Sequence, residues 1–182
     1  MAVPRLRPML PGDVAPATEL ILAHGWGVRR DWLEFATSSP GCRPLLAELD
    51  GEVVGTGVAT VNGPVGWLGT IFLAPEWRGQ GVGRAITQAL LERLDEAGCR
   101  TAVLVATREG RRLYERLGFE VQTHYRILEA AGLPADDAAG VEAAATATGP
   151  RAFEPADLAA MLRLDAEATG EDRRHALERF AA

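Results

Sequence analysis

Two rhythms of apolar residues run along this chain of 182 residues. From Arg43 to Leu73, apolar stretches are divided by Asp50-Gly51 and Asn62-Gly63, both of them turn formers between strands. The pattern predicts three antiparallel strands over about 44–49, 52–61 and 66–73. The rhythm then lengthens. Ile86, Leu90 and Leu94 recur every fourth residue, which makes one face of a helix over 83–97 that Gly98 can end. Thr101 to Thr107 is short, continuously apolar and β-branched, as suits a strand covered on both faces. Residues 109–117 read as a helix closed by Gly118, and 119–130 as a last strand. Ahead of the strands, 16–24 and 29–36 read as two short helices. The order α-α-β-β-β-α-β-α-β predicts an α/β (α+β) fold, a mixed and mostly antiparallel sheet flanked by helices.

The pattern fades over 131–150, which holds almost nothing large and apolar and reads as a linker. Helical patterning returns over 151–182. An apolar fraction of 47% is enough for one sizeable core. A formal charge of -6 argues against a nucleic-acid partner. The chain has no lysine, so all of its formal bases are arginine. Cys42 and Cys99 lie far apart and read as reduced thiols. The first ten residues carry charge without an apolar stretch behind it, and no apolar run is long enough to span a bilayer. The expectation is a cytoplasmic protein with no membrane partner and no metal.

The candidate chemistry lies in Arg78-Gly79-Gln80-Gly81-Val82-Gly83-Arg84, directly ahead of the longest predicted helix. Unpaired amides at a helix N-terminus bind phosphate, and glycines let the backbone come close. The spacing discriminates among the devices that use this. A Walker loop needs a lysine, which the chain lacks. A dinucleotide fingerprint would need a third glycine at Arg84 or Ile86. The stretch does match [QR]-x-x-G-x-[GA], and about thirty residues later comes Leu113-Tyr114-Glu115-Arg116-Leu117-Gly118-Phe119. Together these resemble the two signatures of the GNAT superfamily of N-acetyltransferases, over roughly residues 5–130.

The resemblance implies a GNAT acyl-CoA fold in 1–130, with the sheet splayed at the coenzyme site. Acetyl-CoA would be the cosubstrate, its pyrophosphate held by Arg78, Gly79, Gln80, Gly81, Val82, Gly83 and Arg84. Its pantetheine would lie along Ile71, Phe72 and Leu73, with a further contact from Thr107, where family members often carry asparagine. Tyr114 matches the tyrosine that serves the family as general acid near the sulfur; a core tyrosine beside Leu113 and Leu117 is the other reading. Trp26, Trp32 and Trp67 would shape the acceptor pocket or simply pack in the core. Arg108, Arg111 and Arg112 could add charge for the phosphates or form a solvated face. The strand before the loop carries no carboxylate to act as base; an ordered water could serve, or one of His24, Glu48 and His124, which otherwise read as ordinary exposed side chains. The implied activity is transfer of an acetyl group to a primary amine of a small molecule or peptide, by direct attack on the thioester. A catalytically weak acyl-CoA sensor is the alternative, and a homodimer is allowed.

One repeat stands outside this reading. Arg7, Pro11 and Asp13 recur as Arg151, Pro155 and Asp157, and Leu33-Glu34 as Leu177-Glu178, all displaced by 144 residues. The segment 151–182 therefore resembles the opening of a second GNAT copy. A strand-like start and two short helices, packed on the first domain or on another chain, are expected of it.

Overall fold

The structure, a computed structural model, describes residues 4–126 and 151–181. Strand β1 (Arg5–Pro8) leads through a 3-10 turn into helix α1 (Val14–Ala23), and helix α2 (Arg30–Ser38) follows. Strands β2 (Cys42–Leu49), β3 (Glu52–Asn62) and β4 (Val65–Leu73) form the meander expected from the turn dipeptides. Asp50 and Gly51 take φ of 49° and 87°, the left-handed pair that a tight two-residue hairpin requires. Helix α3 (Val82–Glu96), strand β5 (Thr101–Leu104) and helix α4 (Arg108–Arg116) complete the first segment. The sheet runs β1-β2-β3-β4-β5, antiparallel except for the parallel pair β4 and β5.

Helices cover both faces. On one side α1 and α2 bury Val14, Ala17, Ile21, Leu33 and Ala36 against Leu46, Val58 and Phe72. On the other, α3 buries Ile86, Leu90 and Leu94 against Leu45, Ala59 and Leu68. Gly57 and Gly66 let α3 settle that close, because a Cβ there would fall 2.8 Å from Ile86 and 2.5 Å from Leu94.

Two expectations are corrected. The strand expected over 101–107 ends at Leu104, and Val105 is exposed. The strand expected over 119–130 is irregular and exposed from Phe119's neighbours through Arg126, and 127–130 lie outside the described residues, as does the expected linker. Apolar periodicity alone could not tell a strand with a partner from one without. β1 was not among the expected elements of the first segment. It holds only four residues, and it forms because β2 offers an edge for Arg5↔Glu48 to Pro8↔Leu45.

The opening is fastened by a clasp. The Arg7 guanidinium donates to both Asp13 oxygens, at 2.7 and 2.9 Å, and through Nε to Glu48 at 2.6 Å. Asp13 also accepts the Leu10 amide at 2.7 Å. These donors hold the Asp13 carboxyl below its ordinary range. The tail repeats the arrangement: Arg151 grips Asp157 with both Nη atoms, and Asp157 accepts the Glu154 amide at 2.9 Å. A 3-10 turn at Pro155–Asp157, helix α5 (Leu158–Thr169) and helix α6 (Arg174–Ala181) follow. Residues 151–154 form no strand.

Candidate active site

The site is built around an irregularity in β4. Thr56 pairs with Phe72 and Val58 with Gly69, so Gly57 stands opposite both Thr70 and Ile71, a β-bulge. Thr70 takes φ of 50°. A β-branched residue holds such a conformation at a cost of about 1–3 kcal/mol, so the surroundings must fix it. They do: the buried Thr56 hydroxyl donates to the Thr70 carbonyl at 2.8 Å, and Trp32 Nε1 donates to Thr70 Oγ1 at 2.9 Å. Pairing of β4 with β5 runs from Val65↔Thr101 to Leu68↔Leu104 and stops just before the bulge. Past it, among the described residues, Thr70 to Leu73 have no strand beside them on the β5 side.

The N-terminus of α3 follows that gap in the chain. Gly79 and Gly81 take φ of 73° and 87°, so both positions need glycine for conformation. A Cβ at either would meet nothing within 4 Å, which leaves the loop open as a cradle. The first backbone bond of α3 runs from the Ala85 amide to the Gly81 carbonyl, 3.0 Å, so the amides ahead of it are left for another acceptor. Gly83 differs: a Cβ there would touch Leu113 at an ordinary 3.7 Å. Arg78 Nε donates to the Leu73 carbonyl at 3.1 Å, tying the loop to the end of β4, and Gln80 donates to the Glu76 carbonyl. Arg84 is exposed, whereas the Val82 side chain is buried in the core beneath the loop. Unpaired amides, a helix N-terminus and two flanking arginines fit a pyrophosphate.

Beyond the end of β5, Thr107 caps α4 and accepts the Gly110 amide at 3.2 Å, leaving its hydroxyl proton to donate. Tyr114 lies one turn and more along α4, half-buried and edge-on to Phe119 at 6.0 Å. Burial pushes its phenol above the ordinary value, so it is protonated at neutral pH. Arg111 is committed to Glu115 at 2.7 Å.

On the α1–α2 side of the sheet, Phe72 is 1% exposed and meets Trp26 edge-on at 5.4 Å and His24 at 5.5 Å. Only the backbone of Phe72 can serve the gap. Trp67 alternates with Leu68, which faces α3, and so stands on this same α1–α2 face. Of the candidate bases, Glu48 is removed from the site: it is the partner of Arg7 at the β1–β2 edge. His124 lies in the exposed irregular segment. His24 stays beside Phe72, its Nδ1 bonded to the Leu20 carbonyl at 2.8 Å.

The sequence reading missed Glu171. It is 8% exposed and accepts from Asn62 Nδ2 at 2.7 Å and Trp67 Nε1 at 3.0 Å. The tail thus reaches the same sheet face as Trp67. His175 sits beside it, bonded to Ser39 Oγ and Asn62 Oδ1 at 3.1 Å each and stacked on Phe35. The repeat offset could have brought the tail to attention, but nothing in the sequence tells where it docks.

The profile of the acetyltransferase (GNAT) family matches residues 14–119. The chain belongs to the GNAT acetyltransferase family. Among its relatives is an aminoglycoside N(6')-acetyltransferase type 1 of Stenotrophomonas maltophilia, 36% identical over 112 residues, which cover 54% of this chain and 72% of that protein. Similar solved structures include an acetyltransferase of Trypanosoma brucei, with a TM-score of 0.60, 20% identity, and coverage of 69% of this chain and 99% of that one. Another is AAC(6')-Iy in complex with the bisubstrate analog CoA-S-monomethyl-acetylneamine, with a TM-score of 0.61, 20% identity, and coverage of 72% and 100%. The activity of this GNAT acyltransferase is transfer of an acetyl group from acetyl-CoA to an amine. Among the described residues no helix is long and apolar enough to cross a membrane, and no cluster of side chains is arranged to hold a metal ion.

Proposed function

We propose that this acetyltransferase modifies a primary amine of a small molecule. The observation that carries the reading is the gap between β4 and β5 past Leu68 and Leu104, closed at one end by the left-handed glycines of the α3 cradle. The amides ahead of Ala85 would hold the pyrophosphate, with Arg78 and Arg84 adding charge. Strand amides from Ile71 to Leu73 would hold the pantetheine and polarise the thioester carbonyl. Thr107 would donate one further hydrogen bond. The amine nitrogen forms a bond to the carbonyl carbon and the carbon–sulfur bond breaks. The sulfur takes the Tyr114 proton, and the amine's excess proton leaves to water. A phenol kept protonated by burial suits that role. The acceptor approaches from the α1–α2 face, among Trp26, Trp32 and Trp67. The relative's aminoglycoside acceptor supports a small amine over a peptide.

Tyr114→Phe tests the assignment. Coenzyme affinity should hold while the chemical step slows by about 10²–10⁴-fold, the size of general acid–base catalysis. A rate within about twofold of the parent, measured with chemistry limiting, would make Tyr114 a packing residue. We read 151–181 as the opening of a second GNAT copy, on the strength of its duplicate clasp and helix order.

A further inference from the structure

Two non-glycine residues among those described take a positive φ, Asp50 at 49° and Thr70 at 50°. Asp50 sits in a tight hairpin, and aspartate tolerates that region because its short side chain can bond locally. Threonine does not: a β-branched residue there is an outlier. In a bulge whose first residue is left-handed, glycine ordinarily fills that place. Here the glycine stands one residue early, at Gly69, where a Cβ would meet nothing within 4 Å. The chain thus has a threonine where glycine would fold more easily, and threonine brings a hydroxyl that glycine lacks.

The side chain and the carbonyl of Thr70 are both held from other elements. Oγ1 accepts from Trp32 Nε1 at 2.9 Å, and the carbonyl accepts from the Thr56 hydroxyl at 2.8 Å. The Trp32 ring is itself fixed by stacking on Phe35 at 5.6 Å. Thr56 is 0% exposed, and its bond is of an unusual kind for this chain. The buried threonines Thr18 and Thr87 return their hydroxyls to carbonyls one turn back in their own helices, Val14 and Gly83. Thr56 reaches across to the neighbouring strand instead. The consequence falls on the next amide. In a trans peptide N–H and C=O point in opposite directions, and none of the described peptides is cis. With the Thr70 carbonyl drawn toward β3, the Ile71 amide faces away from β3, to the side where β4 has parted from β5 beyond Leu68↔Leu104.

We propose that Trp32 and Thr56 are positioning residues: by holding Thr70 left-handed they aim the Ile71 amide at the thioester oxygen of acetyl-CoA. The proposal rests on the coenzyme placement above and narrows it to one amide and the two side chains that turn it. The role needs no contact with the reacting atoms, because both side chains act through the Thr70–Ile71 peptide. Without them Thr70 relaxes toward an extended conformation and the peptide turns. The thioester oxygen then loses its donor while the α3 cradle still grips the pyrophosphate.

Isotope-edited infrared spectroscopy of acetyl-CoA labelled at the thioester carbonyl tests this, because a hydrogen bond to that oxygen lowers its stretching frequency. Trp32→Phe keeps an aromatic ring and removes the donor; Thr56→Val keeps the branched shape and removes the hydroxyl. In each, the band of the bound coenzyme should move to higher frequency. Affinity, from calorimetric titration of acetyl-CoA, should fall by no more than about tenfold, the scale of one hydrogen bond. Combining Trp32→Phe with Thr70→Gly should return the band toward its parental position, since glycine takes a positive φ without a partner and Thr56 still holds the carbonyl. Loss of mere packing at Trp32 would not be reversed by a second change at position 70. A parental band in both single variants would overturn the proposal, as would a shifted band in Trp32→Phe that Thr70→Gly leaves unmoved. Where Thr56→Val does not fold, Trp32→Phe and its double variant decide the matter alone. A parent protein that fails to bind acetyl-CoA would overturn the coenzyme reading itself.

Discussion

Residues 5–38 and 151–181 follow one local code and meet different fates. Both carry an arginine–aspartate clasp around a proline turn, and in both a helix begins at the residue after the aspartate, Val14 or Leu158. The second helices also correspond, starting at Arg30 and Arg174. In the first segment Ala17, Ile21, Leu33 and Ala36 are at most 1% exposed, because a sheet lies under them. At the same offsets the tail presents Met161, Asp165, Leu177 and Phe180, and Phe180 is 81% exposed. Among the described residues of the tail Glu171 is the buried one, and it is buried against the sheet of the first segment. Capping and turn chemistry thus set where helices start. What they bury is set by whether a sheet is present.

The largest expected contrast lies in coenzyme binding. Gly81→Asp forces a side chain into a backbone with φ of 87° and sets a negative charge in the cradle. Acetyl-CoA affinity should fall beyond calorimetric detection in a folded protein. Deleting 151–182 should leave that affinity within about twofold, since the cradle amides belong to the α3 turn alone. Loss of binding on truncation would show that the two segments form one coenzyme site.

A matched pair of core substitutions comes next. Leu33→Ala removes a side chain that is 0% exposed and should cost about 2–5 kcal/mol in denaturant unfolding. Its counterpart Leu177→Ala, in a half-buried position, should cost about 1 kcal/mol or less. Equal costs would mean that the tail is as much a part of the core as α2.

The smallest effect is a pH dependence of tail docking. His175 has its folded value below the ordinary 6.5, with burial as the main cause and Asp172 opposing it. The undocked tail therefore binds more protons than the docked one in the window just below pH 6.5, and docking strengthens as pH rises through it. Protection of the Trp67 indole, followed by hydrogen exchange or fluorescence, should decline from pH 7 to below 6, and His175→Gln should flatten that decline. The carboxyls of Asp13, Asp157 and Asp165 are all lowered, and they act at more acidic pH.

Much of the local backbone was legible in residues 50–119. Asp50-Gly51, the four-residue spacing of Ile86, Leu90 and Leu94, and the glycines at 79 and 81 each constrain the backbone locally. Each therefore leaves a mark in the sequence. The arginine-and-glycine spacing with Leu113 to Phe119 was enough to name the family. Thr70 is the opposite case: nothing in Leu68-Gly69-Thr70-Ile71 signals a left-handed threonine, because Thr56 and Trp32 hold it from other elements. Glu48 could be a base by sequence, and only the approach of Arg7 from a separate strand removed it. The sequence by itself determined turns, caps, helix starts and the cradle, since those follow from contacts a few residues apart. Tertiary structure alone decided that β5 stops at Leu104, that residues 119–126 form no strand, and that Glu171 lies under Trp67. Those outcomes depend on pairings across 36 to 109 residues, which a local pattern does not encode.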